Sequence, residues 1–263
     1  MAGMLPGAVA AEWSKARTTW STHAALLGAA VAVAAVVLIG VAAVNTWEGL
    51  PAARRDAMVV APLDRVVVLP LSIALGVLGV LTMTREYTTG MIRVSLAAVP
   101  HRGAVLAAKA LVVAAITLVA GVAGVGATSL LTRWAAGDRP LGFNSLPLDN
   151  EIPVVLAQGV SVMVIALAAL GAATLLRSTA ASIAALVAVV FLAPTIARNL
   201  PDPWADRLSS VLPGNLPYQV VEDTYTGHAF EGVLPPWAAA ALMAGYALVP
   251  LLAGALALYR RDA

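Results

Sequence analysis

Six apolar runs, each long enough to cross a lipid bilayer, leave this chain few folds to choose from. A spanning helix needs about 20 mostly apolar residues. Such runs fall at about 24–44, 66–84, 104–131, 152–176, 178–197 and 237–259. The fourth and fifth are parted only by Arg177, and one unbroken helix across both would be unusually long. Of the 263 residues, 60% are hydrophobic and 11% charged, so lipid rather than water is the main surrounding medium. No stretch is polar enough for a soluble domain. The expected fold is therefore an all-α membrane protein with a single transmembrane domain over 1–263. No cleavable leader is expected, because Glu12, Lys15 and Arg17 precede a first run too long for a signal sequence.

Loop charge sets the expected orientation. With the N-terminus in the cytoplasm, the inner segments carry nine Lys/Arg against three acids, and the outer segments seven against eleven. This predicts cytoplasmic N- and C-termini in a multi-pass protein of the plasma membrane. Before the first run, Val9, Trp13, Ala16 and Trp20 fall on one helical stripe, with Glu12, Lys15 and Thr19 away from it. The spacing predicts an interfacial helix over 8–20, with Trp13 and Trp20 at headgroup level and Lys15 and Arg17 beside them. A solvated tail is the other reading. The segments 45–65 and 132–151 read as solvated connections. The segment 198–236 holds six prolines, which break any long helix. It reads either as an exposed extracellular loop or as one with a re-entrant piece near 208–212, provided protein covers the backbone there.

Several chemistries are excluded. The chain has no cysteine, hence no disulfide, thiol nucleophile or Cys-based metal site. Its only lysines, Lys15 and Lys109, do not follow a glycine, so there is no phosphate-binding loop of the G-x-x-x-x-G-K type. His23, His101 and His228 are isolated, and no metal ligand set is expected. Gly121, Gly124 and Gly126 suit close helix packing better than dinucleotide binding. A net charge of +2 gives no sign of nucleic-acid binding. No ionisable residue sits near the centre of a run, which counts against a proton- or ion-coupled carrier. The polar groups expected at depth include Thr117, Thr128, Gln158 and Ser161. They either bond between and within helices or line a substrate path. The chain thus shows no power source and no catalytic site of its own.

The segment 85–109, REYTTGMIRVSLAAVPHRGAVLAAK, is the most charged break between two spans. Glu86, Tyr87 and Gly90 are followed by a short amphipathic stretch in which Ile92, Ser95, Leu96 and Val99 share a stripe. Arg93, Pro100, Arg102 and Lys109 complete it. This pattern resembles the first cytoplasmic loop of ABC-2 type permeases, the membrane subunits of bacterial ABC exporters. The resemblance extends to the helix before the first span, the six-span layout, the Arg177-Ser178 turn, and the Pro201, Trp204, Leu212-Pro213, Asn215 run. Where the family commonly has threonine after the glycine, this chain has Met91.

The resemblance implies an exporter permease with 85–103 as the cytoplasmic coupling loop. Glu86, Tyr87, Gly90, Ile92, Arg93, Leu96, Val99 and Arg102 would engage a separate ABC ATPase, and Trp204, Leu212 and Pro213 would form an outer gate. It implies a second permease subunit, homo- or heterodimeric, and contact with membrane lipid. No cofactor is implied in this chain, ATP and magnesium belonging to the ATPase. The resemblance implies a cargo among drugs, antibiotics, lipids and polysaccharides, of which the small outer loops and apolar bundle fit an amphiphilic small molecule, drug or lipid better than a polysaccharide. The rival readings are a non-transporting anchor, immunity or signalling subunit that recruits an ATPase, and an ATP-independent channel or secondary carrier.

Overall fold

The computed structural model describes residues 4–55, 57–58, 60–91, 102–143, 147–221 and 234–260, and these hold helices and connecting turns without strands. In chain order the helices are α1 (Met4–Thr18), α2 (Trp20–Gly49), α3 (Ala52–Arg55), α4 (Leu63–Val66) and α5 (Val68–Thr88). Then come α6 (Arg102–Ala136), α7 (Leu148–Leu176), α8 (Thr179–Val187), α9 (Ala193–Arg198), α10 (Trp204–Val211), α11 (Leu216–Val220) and α12 (Pro236–Arg260).

Six stretches are long and apolar enough to cross a membrane: Trp20–Gly49, Leu63–Thr88, Gly103–Ala136, Asn150–Leu176, Thr179–Arg198 and Pro236–Arg260. They alternate in direction. The side chain of Tyr259, at the end of α12, accepts a hydrogen bond from Gly103 N–H at the start of α6. Both described ends of the chain therefore lie at one end of the bundle, called here the α1 end.

The central helix is α7, which packs against α5, α6 and α12. Contact there is at backbone distance. A Cβ on Gly79 of α5 would lie 2.2 Å from the carbonyl oxygen of Ala166, and one on Gly171 would lie 2.4 Å from the carbonyl carbon of Pro250. Between apolar helices in lipid, van der Waals packing at such short range supplies much of the association, so small residues gather where helices cross. Gly121 follows the same logic, with the Gly159 carbonyl 3.1 Å from its would-be Cβ, whereas Gly126 has only ordinary contact. The outer helices show Leu27, Val31, Leu38, Val249 and Leu252 on the perimeter, all more than half exposed and facing where lipid would be.

The fifth span is not a uniform α-helix. Pro194 lacks the N–H that would bond to the carbonyl of Val190. The chain widens into a π turn over Ala188–Leu192, closed by Ala193 N–H on the Ala188 carbonyl. Before this span, Arg177 ends α7 in a left-handed conformation, φ 51°. The Ser178 side chain then caps α8 by accepting from Ala181 N–H at 3.3 Å. The break at Arg177 is thus a designed reversal.

Three expectations need correction. The N-terminal helix ends at Thr18, and Thr19 is extended, so Trp20 opens α2 and is not part of an 8–20 helix. The connections 45–65 and 132–151 are not simply solvated. Leu63, Leu141 and Phe143 are buried in one apolar cluster with Val67 and Leu71. The described part of 198–236 is not a bare exposed loop. It is a helical hairpin, α10 and α11, held against α7 and α12.

Candidate functional site

Two sites of charge stand out, one at each end of the bundle. At the α1 end, Glu86 lies in the last turn of α5 and Lys109 two turns into α6. Lys109 is 1% exposed and is among the largest fully buried side chains. Its Nζ lies 2.7 Å from Glu86 Oε1 and 2.8 Å from Glu12 Oε2 of α1. Lys15, one turn on from Glu12, donates to Glu12 Oε1 at 2.7 Å and to Glu86 Oε1 at 2.9 Å. Two cations and two carboxylates thus form a closed ring that ties α1, α5 and α6 together.

The ring is neutral and mutually hydrogen-bonded, which is the condition under which charge survives burial. Burial alone would lower the affinity of Lys15 for its proton, but the bonds and charges of Glu12 and Glu86 outweigh it and raise its pKa above the usual value.

Of the nearby basic residues Arg85, Arg17 and Lys15, it is Lys15 that pairs with Glu86. Arg85 instead donates to Ser21 Oγ at 2.9 Å, and Arg17 is exposed on α1. Lys109, the last charge of the 85–109 pattern, is buried inside the protein. The Trp13 stripe does turn outward, with Trp13 43% and Trp20 75% exposed. The opposite face, Ala8 and Glu12, is buried against protein and not bathed in water. The available signal was the acid–base pair Glu12 and Lys15 one turn apart on the face away from tryptophan.

Tyr87 leaves α5 in the other direction from Glu86. Its hydroxyl donates to the Thr174 carbonyl at 3.4 Å, and its ring lies 5.2 Å beneath the Arg177 guanidinium, within cation–π range. Gly90 follows at φ 71°, a left-handed residue that ends α5, with nothing within 4 Å of its would-be Cβ. Of the remaining predicted coupling residues, Ile92, Arg93, Leu96 and Val99 lie outside the described residues, as does the side chain of Arg102. The described structure therefore supplies the anchorage of that loop, from Glu86, Tyr87 and Gly90 to α6.

At the opposite end, Gln158 and Ser161 come together near the middle of α7, each no more than 1% exposed. Ser161 Oγ donates to the carbonyl of Pro213 at 3.0 Å, so the α10–α11 turn reaches about halfway along α7. The last carbonyls of α10 have no helical partners, and side chains take them up. Asn215 donates to Ser209 at 2.8 Å, Gln219 to Ser210 at 2.6 Å and Tyr246 to Val211 at 3.0 Å. Irregular backbone at membrane depth needs this cover. Gln158 Nε2 is 3.3 Å from Asp64 and 3.5 Å from the Tyr218 hydroxyl, while Arg65 sits 4.7 Å over the Tyr218 ring. Glu151 accepts from Ser129 at 2.6 Å and pairs with Arg133.

Of the predicted gate residues, Pro213 is buried at the hairpin turn, Leu212 is half-buried beside it, and Trp204 is 56% exposed at the start of α10. Thr117 and Thr128 are fully buried in α6 and donate to the carbonyls of Val113 and Gly124 one turn back. Asp64, Arg65 and Tyr218 were not singled out by the sequence, since 94 residues separate Asp64 from the glutamine that joins them. Among the described residues no group of His, Asp and Glu is arranged to hold a metal ion.

Residues 66–263 match the family model described as "ABC-2 family transporter protein". No curated protein matches the chain at a significant level.

Proposed function

Since the chain belongs to the ABC-2 family of transporter proteins, we propose that it is the permease subunit of an ATP-driven exporter, powered by a separate ATPase subunit. Members of the family are membrane components without catalysis of their own, and six apolar helices suit that role. The observation that carries the reading is the ring of Glu12, Lys15, Glu86 and Lys109.

Segment 91–101 begins five residues after Glu86 and ends just before α6, which carries Lys109. An ATPase seated on that segment would pull on α5 and α6 together. Because Lys109 and Lys15 bond Glu86 to α1, the N-terminal helix would move with them. Removing any member leaves two like charges sharing one counter-charge in a largely buried setting, so the ring resists shear between the three helices. In this scheme the loop residues Ile92, Leu96 and Val99 meet the ATPase, with Arg93 and Arg102 facing acidic groups at its rim.

The hairpin of α10 and α11 would form the gate on the far side. Its tip, at Pro213, is pinned to Ser161, and its base meets Arg65 through the Tyr218 ring and Asp64 by way of Gln158. Alternating access would loosen these bonds as the α1 end closes. The cargo is proposed to be an amphiphilic small molecule or lipid. A second permease subunit completes the pathway, and both termini face the cytoplasm of a bacterial plasma membrane, in keeping with the loop charges.

Affinity purification of the tagged chain from its native membrane in mild detergent tests this directly. A nucleotide-binding ATPase should co-purify, and Glu86→Ala should abolish ATP-dependent export in reconstituted vesicles while leaving the protein inserted. Absence of any ATPase, or transport unaffected by removing ATP, would refute the proposal. Co-purification without any substrate-stimulated hydrolysis would instead favour a recruiting, non-transporting subunit.

A further inference from the structure

A cavity of about 400 Å³ lies at the α1 end, bounded by α1, the start of α2, the end of α5 and the start of α6. Its volume falls in the usual range for small-molecule pockets, about 300–1,000 Å³. We infer that it binds one anionic phospholipid of the leaflet on the α1 side, with the phosphate at Arg85 and the first acyl segment running inward along Leu78 and Leu81.

The wall changes character with depth. Arg85, Thr89, Thr19 and Ser21 line it at the helix ends, and one to two turns further in Leu78, Leu81, Val112 and Ile116 take their place. Both α5 and α6 show this order, polar at the helix end and apolar toward the middle of the bundle. Lipid in that leaflet has the same order, headgroup outside and chain inside.

The charges favour an anion at the mouth. Glu12 and Glu86 are engaged by Lys15 and Lys109, which leaves them no net pull on a cation. Arg85 donates one hydrogen bond, to Ser21, and forms no ion pair among the described residues. Its side chain is exposed, and a guanidinium has five donors, well shaped for phosphate oxygens. Thr19, at the mouth, joins the end of α1 to the start of α2, so the two helix dipoles meet head to tail there and Arg85 carries the preference for an anion. A zwitterionic lipid would bring its own cation into the same space and gain less.

The ligand would sit beside the ring, and it would fill the space between α1 and the bundle that protein leaves open. The inference rests on the membrane setting of the family reading, but not on an ATPase or on transport.

The test is native mass spectrometry of the purified chain in mixed micelles with phosphatidylglycerol or phosphatidylcholine. One phosphatidylglycerol per chain should be retained, about tenfold more tightly than phosphatidylcholine, whose phosphate can make the same contact but whose choline cation opposes Arg85. Arg85→Gln should remove that preference, and Thr82→Phe, which fills the cavity wall, should lower retention of both lipids. Size-exclusion profiles identify any variant that fails to fold, and the wild-type lipid comparison stands without either variant. Equal retention of the two lipids by the wild type, or unchanged preference in a folded Arg85→Gln protein, would overturn the inference. Displacement by millimolar inorganic phosphate as effective as by phosphatidylglycerol would also overturn it, because the site would then serve a soluble anion. Loss of export with lipid preference intact would bear on the transport reading alone.

Discussion

Lys109 Nζ stands 2.7 Å from Glu86 Oε1, in a setting where the lysine is 1% exposed. Without Lys109 the two buried carboxylates Glu12 and Glu86 share Lys15 alone, and breaking a buried pair in this way costs about 3–5 kcal/mol. Lys109→Met should therefore lower stability by that order, read as a fall in the thermal midpoint of the detergent-solubilised protein. Adding Glu12→Gln to Lys109→Met should recover part of the loss. Strict additivity of the two changes would show that the residues do not interact.

Lys15 gives the ring its pH dependence. Its pKa is raised on folding from the usual 10.5, by the bonds and charges of Glu12 and Glu86 acting against burial. A group raised in the folded state contributes stability that is fully present below its unfolded pKa and is lost as pH rises through the folded value. The midpoint difference between wild type and Lys15→Met should thus stay constant from pH 7 to about 9 and shrink above about 10.5. A difference that shrinks near neutral pH would contradict the pairing.

Gly90 tests backbone against space. With φ at 71° and no atom within 4 Å of a would-be Cβ, only conformation penalises a side chain there. Gly90→Ala should cost about 1–2 kcal/mol, and Gly90→Asn less, since asparagine tolerates the left-handed region. Equal losses for the two, by thermal midpoint, would point to a steric cause instead.

Gly79 should behave in the opposite way. Its would-be Cβ meets the Ala166 carbonyl at 2.2 Å, so Gly79→Ala must push α5 and α7 apart, at a cost of about 1–3 kcal/mol or more. Gly245→Ala, with nothing within 4 Å, should be neutral or slightly stabilising. The contrast is measured as the difference in midpoint between the two variants.

At the hairpin, Tyr246→Phe removes the donor to the Val211 carbonyl and Ser161→Ala the donor to Pro213. Each loss should cost about 1 kcal/mol. Hydrogen exchange over 204–220 should then quicken about fivefold, with the rates in α7 little changed. Faster exchange throughout the bundle would mean that the hairpin is not a separate unit.

These cases also show what a sequence of this kind makes legible. The six spans stand out because apolar length is a local property, and so do Gly90 and the turn at Arg177. The tryptophan stripe of α1 is local too, and it correctly puts Trp13 outside. The partner of its opposite face is not local. Glu12 finds Lys109 97 residues away, and Gln158 finds Tyr218 60 residues away. Charge near a helix end reads equally well as solvated or buried until a neighbouring helix is in place. The hairpin of α10 and α11 was hard to read for a further reason. Its prolines forbid a long helix but allow two short ones, and only the side chains of Ser161, Asn215, Gln219 and Tyr246 make its depth tolerable.

Both lysines of the chain, Lys15 and Lys109, belong to the same ring. Amine chemistry on this protein is consequently a reporter of a single place. In the folded state an acylating reagent meets the partly exposed Lys15, while Lys109 is shielded until α1 lifts away. A lysine-specific protease likewise has only two bonds to cut, both at this junction. Timed labelling of Lys109 would therefore count the openings of one joint between three helices.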